Sequence, residues 1–98
     1  MADVVWDGER AELRLHGDLD IEGADILHAL VSEFERVAYI DLADVDAIDS
    51  SGLFALVQAD TRARLSGLRL TLVPPRDSVR QIFEWTGLDA RLNFAAAV

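Results

Sequence analysis

Cysteine is absent from the 98-residue chain. That excludes disulfides, thiolate metal sites and cysteine nucleophiles together, and it suits a reducing, cytoplasmic setting. Positive charge is scarce: nine Lys and Arg stand against 18 Asp and Glu, a formal net charge of −9. A domain this acidic repels phosphate backbones and anionic lipid surfaces, which argues against nucleic-acid binding and peripheral membrane attachment. No apolar run approaches the roughly 20 residues that span a bilayer, so no direct membrane insertion is expected. Met1-Ala2-Asp3 lacks the basic region and apolar run of a secretion signal.

Apolar residues make up 51% of the sequence and charged residues 28%. This composition predicts a globular chain with a core of its own, and residues 1–98 are read as a single domain with only the last few residues frayed. Val4-Val5-Trp6 reads as a short strand. Asp7-Gly8 then signals a two-residue hairpin turn. The return strand, about Arg10 to His16, alternates Leu13 and Leu15 with Glu12, Arg14 and His16.

Gly17-Asp18-Leu19-Asp20 reads as a loop, with Asp20 as N-cap of a helix over about Ile21 to Arg36. Leu27, Leu30, Val31 and Phe34 form its apolar stripe. A buried strand over Val37 to Leu42 follows, and then a second helix over about Ser51 to Ser66. Leu53, Leu56 and Val57 face inward on that helix, Asp60, Arg62 and Arg64 supply polar surface, and Gly67 closes it. Leu68, Leu70 and Leu72 alternate as a strand that Pro74-Pro75 ends. A third helix, capped by Asp77 or its neighbour, runs to about Thr86 with Val79, Ile82 and Phe83 inward. Asp89 to Phe94 reads as a weak strand or extended tail. The order predicts an α/β fold: an N-terminal hairpin, then strand–helix alternation in a mixed sheet with helices packed on it.

The polar cluster Asp49-Ser50-Ser51-Gly52 joins the buried strand to the second helix. Ile48-Asp49-Ser50-Ser51-Gly52 lacks the first glycine of a hydrolase elbow. His16 and His28 are read as surface residues, so no base accompanies a serine nucleophile. No catalytic residue is expected, and the chain is not read as an enzyme. Asp41, Asp44, Asp46 and Asp49 crowd one strand end and loop, but their spacing does not fit a calcium loop and no closing glutamate follows. They are read as a solvated acidic rim containing one N-cap, not as a metal site. A helix N-terminus offers N–H groups to an anion. Without a Walker lysine or a glycine-rich run, and with carboxylates close by, no cofactor is expected there. One helix needs one N-cap. If Ser51 or Asp49 fills that role, a hydroxyl is left on an exposed turn, accessible to an enzyme.

Asp49-Ser50-Ser51-Gly52, preceded by an apolar strand and followed by Leu53 and Leu56, resembles the serine-bearing turn of the STAS domain family, anti-sigma factor antagonist type. Gly17-Asp18-Leu19-Asp20 is similar to that family's Gly-Glu-Leu-Asp loop, with Asp18 in place of the glutamate. Asp41-Leu42 resembles its strand before the switch, and Ile82-Phe83 through Gly87-Leu88 its last helix and closing Gly-Leu. The resemblance covers nearly the whole chain. It implies a sheet of four or five strands with three or more helices mainly on one side. It implies that Ser50 is phosphorylated by an anti-sigma factor with serine kinase activity, and that a phosphatase is a further partner. It also implies a partner surface made of Asp18, Asp20, Asp49, Ser50, Ser51, Gly52 and Leu53. The alternative within the same fold is a non-catalytic subunit docked on a lipid-transport ATPase or in a signalling scaffold.

Overall fold

In the computed structural model, which describes residues 3–33 and 36–96, Leu13, Leu15, Ile40 and Leu42 are fully buried. Arg14 and Asp41 alternate with them and stay partly open to solvent, while His16 and Tyr39 are exposed. That period of two places two strands side by side at the centre of a sheet with one covered and one wet face. They are β2, Glu12–Leu19, and β3, Tyr39–Ile48, and they run parallel. β1, Asp3–Asp7, pairs antiparallel with β2, and β4, Thr71–Val73, pairs parallel with β3. The sheet order is β1-β2-β3-β4. The parallel neighbours require crossovers, which α1, Ile21–Glu33, and α2, Ser50–Leu65, supply. α3, Asp77–Thr86, and α4, Leu88–Arg91, complete the chain order.

The mixed sheet and the α/β order agree with the expectation from sequence. Several boundaries move. The hairpin is joined by residues 8–11 rather than by two residues. Asp7 Oδ1 accepts from the Glu9 and Arg10 N–H groups at 3.1 and 3.4 Å, and Ala11 takes a left-handed φ of 52°. This side-chain turn outcompetes the shorter Asp-Gly turn. β2 runs on to Leu19, so Gly17 and Asp18 lie in the strand. Gly17, at φ 85°, adjoins a register shift that accommodates the extension. β3 likewise continues through Asp44, Val45 and Asp46 to Ile48. Those aspartates are strand residues rather than loop residues. Pairing with β2, and burial of Val45, override aspartate's low strand propensity. β4 is shorter than the alternating leucines suggest, with Leu70 buried just before it and Leu68 exposed.

The wet face carries a charge network. Arg14 Nε donates to Glu12 Oε1 at 2.8 Å and Nη2 reaches Asp7 Oδ2 at 3.5 Å. The hydrogen bond and charge of Glu12 raise the Arg14 pKa above its ordinary value. His16 Nδ1 lies 3.6 Å from Asp44 Oδ2. On the covered face Leu27, Leu56, Val79 and Phe83 close the core. The expected stripe residues Leu30 and Val31 are partly buried against it, and Phe34 lies outside the described residues. Gly67 and Gly87 hold left-handed φ values of 74° and 76° where α2 and α3 end. Asp77 is the first residue of α3. Its neighbour Arg76 occupies the cap position without a side-chain cap bond. Of the expected terminal strand, Phe94 forms a parallel bridge to Leu72, while Asp89 to Arg91 are helical. Of the tail expected to fray, Ala95 donates to the Leu72 carbonyl at 2.8 Å, and residues 97–98 lie outside the described residues.

Asp60, expected on the surface, is 1% exposed. Arg64 Nε stands 3.1 Å from Asp60 Oδ2, and Arg64 Nη2 donates to the Arg91 carbonyl oxygen at 3.0 Å. The pair thereby ties α2 to the end of α4. Among the described residues no well-aligned hydrogen bond reaches either carboxylate oxygen of Asp60, so the Arg64 charge is its main compensation. Arg64→Ala is expected to lower the unfolding free energy by about 1–3 kcal/mol in urea titrations. Adding Asp60→Leu to that variant should recover much of the loss, because an apolar residue needs no counter-charge. No recovery would show that packing, not the stranded carboxylate, sets the cost.

Candidate functional site

The carboxyl ends of β2 and β3 lie in register, Asp18 beside Ala47 and Leu19 beside Ile48. Each strand passes at once into a helix, so α1 and α2 start side by side at one pole of the sheet. Both starts use the same chemistry. Asp20 Oδ1 accepts from the Gly23 N–H at 3.1 Å, as expected of an N-cap, and Asp49 Oδ1 accepts from the Gly52 N–H at 3.1 Å. The extended φ, ψ of −111° and −174° at Asp49 are those of a helix cap.

With Asp49 as cap, α2 begins at Ser50, one residue earlier than expected. Ser50 is exposed and Ser51 half-buried. Among the described residues neither hydroxyl takes part in a hydrogen bond. The capping need is met by the aspartate, and both serines are left without a structural duty.

Gly52 fixes how deep this turn sits. A Cβ on Gly52 would collide with the Leu19 carbonyl oxygen and come within 2.8 Å of Leu19 Cγ and 2.9 Å of Ile48 Cγ1. The same carbonyl accepts the Asp49 N–H at 3.3 Å. Only a residue without a side chain lets the first turn of α2 press against the end of β2. Gly52 is therefore buried and shapes the surface rather than presenting a group to it. Leu53 is half-buried against the core.

The structure brings Asp18, Asp20, Asp49, Ser50 and Ser51 to one pole. Asp18, Asp49 and Ser50 are exposed there, and Asp20 and Asp49 are engaged as caps. Of the rim aspartates, Asp46 pairs with Arg76 Nη1 at 3.0 Å, Asp44 faces His16, and Asp41 Oδ1 accepts from the Ala43 N–H at 2.9 Å. They point to separate partners along the strand. His16 and His28 are both exposed, as expected. Reading the sequence as far as the turn missed two apolar residues at this pole: Ile21, 65% exposed, and Phe54, 62% exposed. Phe54 follows Ser50 by four residues and so lies one turn along the same helix face, a spacing that was available as a signal.

Gly52→Ala is expected to destabilise the fold by about 1–3 kcal/mol through overpacking in thermal or urea melts. Ser51→Ala should stay within about 0.5 kcal/mol of wild type. Equal stability of Gly52→Ala and wild type would mean that the Leu19 contact does not constrain the turn.

Comparison with known proteins adds the family. The family model described as Mlab, STAS domain, matches residues 2–94. No curated protein matches the chain. Among solved structures, a candidate anti-sigma factor antagonist of Thermotoga maritima is similar with a TM-score of 0.76 at 23% identity, over 98% of this chain and 86% of that one. The anti-sigma factor antagonist SpoIIAA in its unphosphorylated form is similar with a TM-score of 0.67 at 17% identity, over 100% of this chain and 90% of that one. The phosphorylated form of SpoIIAA, a Bacillus cell fate determinant, gives 0.66 at 19%, over 98% and 92%. At these identities the structural likeness concerns the fold. The family match covers nearly the whole chain and agrees with the mixed sheet and its strand order, and the protein belongs to the STAS domain family.

Proposed function

We propose that this protein is a cytoplasmic anti-sigma factor antagonist, non-catalytic itself, that phosphorylation of Ser50 switches off. The observation that carries this reading is that Ser50 is exposed at the first position of α2 while Asp49 already caps the helix. Its hydroxyl is available to a kinase, and modifying it removes no hydrogen bond. The partner is an anti-sigma factor with serine kinase activity, and a phosphatase resets the switch. Unmodified, the pole formed by Asp18, Asp20 and the Asp49 to Leu53 turn occupies the anti-sigma factor, and the sigma factor is released to direct transcription.

The physics separates folding from binding. A phosphate adds about −1.5 to −2 charges at neutral pH. The positive end of α2 favours an anion there by about 0.3–2 kcal/mol, while Asp49 and Asp18 oppose it. These contributions nearly offset, so the fold persists. At a closed interface the partner has to desolvate a doubly charged group in place of a small hydroxyl. A buried charge left unpaired costs about 3–5 kcal/mol, or about two to four powers of ten in affinity. The interface effect therefore wins.

Incubation with the purified anti-sigma kinase and ATP should shift the intact mass by about 80 Da, one phosphate, and Ser50→Ala should abolish the shift while still binding. Incorporation lost in Ser51→Ala but kept in Ser50→Ala would move the site to Ser51. Ser50→Asp should melt within about 1 kcal/mol of wild type and bind about 100-fold or more weakly in calorimetric titration. Wild-type affinity in Ser50→Asp would sink the electrostatic mechanism. An unmodified protein that co-purifies with a transport ATPase would identify the permanently docked subunit instead.

A further inference from the structure

Phe54, one helical turn beyond Ser50, borders a groove. Between α1 and α2 lies a cleft of about 380 Å³, lined by His28 and Val31 from α1 and by Phe54, Gln58, Thr61 and Leu65 among the residues of α2. The four α2 residues recur at i, i+4, i+7 and i+11, so they form one stripe along the outer edge of that helix. Its two ends are apolar and open: Phe54 beside the Ser50 turn and Leu65, 85% exposed, at the far end. On α1, Ile21, Asp25, His28 and Ser32 have the same spacing. The second half of this stripe faces α2: His28 lines the cleft and Ser32 Oγ accepts from Arg62 Nη1 at 3.3 Å. Two parallel ridges with a trough between them match the shape of a third helix.

Charge selects the occupant. Asp25 stands on the α1 ridge and Glu22 beside it, both exposed, and neither has an ion-pair partner among the described residues. The whole chain carries −9. A helix that set its apolar face between Phe54 and Leu65 would hold the Phe54 end of its flank against these carboxylates, so that end has to be basic, while Arg62, already donating to Ser32, lines the Leu65 end.

We infer that the α1–α2 groove binds an amphipathic, basic-flanked helix of the anti-sigma partner, with Phe54 and Leu65 as apolar anchors at its two ends. The inference rests on the reading of Ser50 as the partner switch and extends that surface away from the turn. From Phe54 to Leu65 the stripe spans about 16 Å at about 1.5 Å per residue, room for about three turns of the docked helix. Phe54 belongs to both surfaces, so the groove contributes affinity while the turn decides whether it is used.

The test titrates purified anti-sigma kinase from the same organism with wild type, Phe54→Ala, Leu65→Glu and Asp25→Lys by calorimetry, each at two salt concentrations. Phe54→Ala and Leu65→Glu should each weaken binding about tenfold or more with unchanged thermal midpoints, since both side chains are exposed. Asp25→Lys should weaken binding and flatten its salt dependence. If Leu65→Glu and Asp25→Lys bind like wild type while Ser50→Asp does not, the partner stops at the turn: the groove inference fails and the phosphorylation switch stands. If wild type binds no anti-sigma kinase, the switch reading fails and the groove inference falls with it. Should the groove variants alter the sedimentation of the free protein instead, the occupant is a second copy of this chain and the inference is overturned.

Discussion

The close approach of the Gly52 backbone to the Leu19 carbonyl is the constraint on which the functional pole depends. It locks the first turn of α2 against the end of β2, and through the pairing of β2 with β3 it sets both helix starts at one level. Asp20 and Asp49 then satisfy the helix N–H groups locally. The backbone here is held by packing and by caps, so the serine side chains do not have to hold it. Were a charge added at Ser50, as proposed, this division of labour would leave the fold intact. The hydroxyl would change, while the caps and the Gly52 contact that hold the turn would not.

The same division runs through the electrostatics. The wet sheet face neutralises part of its charge internally, through Arg14 with Glu12 and Asp7. Asp60 and Arg64 neutralise each other on the way to α4. Asp18, Glu22 and Asp25, at the end where α1 and α2 begin, have no such partner among the described residues. Three unpaired carboxylates at one end of an acidic protein attract a basic surface there. The exposed Ile21 and Phe54 supply the apolar contact that charge alone does not.

Much of this was legible in the residues. Alternation of Leu13 and Leu15 with polar residues gave the second strand, and the apolar stretch Val37 to Leu42 gave the third as a buried strand. Asp20 and Gly67 marked helix ends, and Asp-Ser-Ser-Gly marked the turn, because cap and C-terminal chemistry act over a few residues and need no tertiary partner. The hairpin turn, the extensions of β2 and β3 and the start of α2 were read differently. In each case a competing local bond or a neighbouring strand decided the outcome: Asp7 folding back on residues 9 and 10, or β2 and β3 supporting each other past their propensities.

By itself the sequence determined the order of elements as far as α3, the apolar faces and a hydroxyl left over at a capped helix start, all of them consequences of short-range chemistry. The tertiary structure alone decided which residue caps α2, why position 52 takes glycine, that Asp60 is buried against Arg64, and that Phe54 borders a groove between two helices. Each of these depends on how close two segments distant along the chain come to each other, or on which side of a helix its neighbour covers. No periodicity or composition encodes that distance; it is set when the sheet pairs and the helices pack.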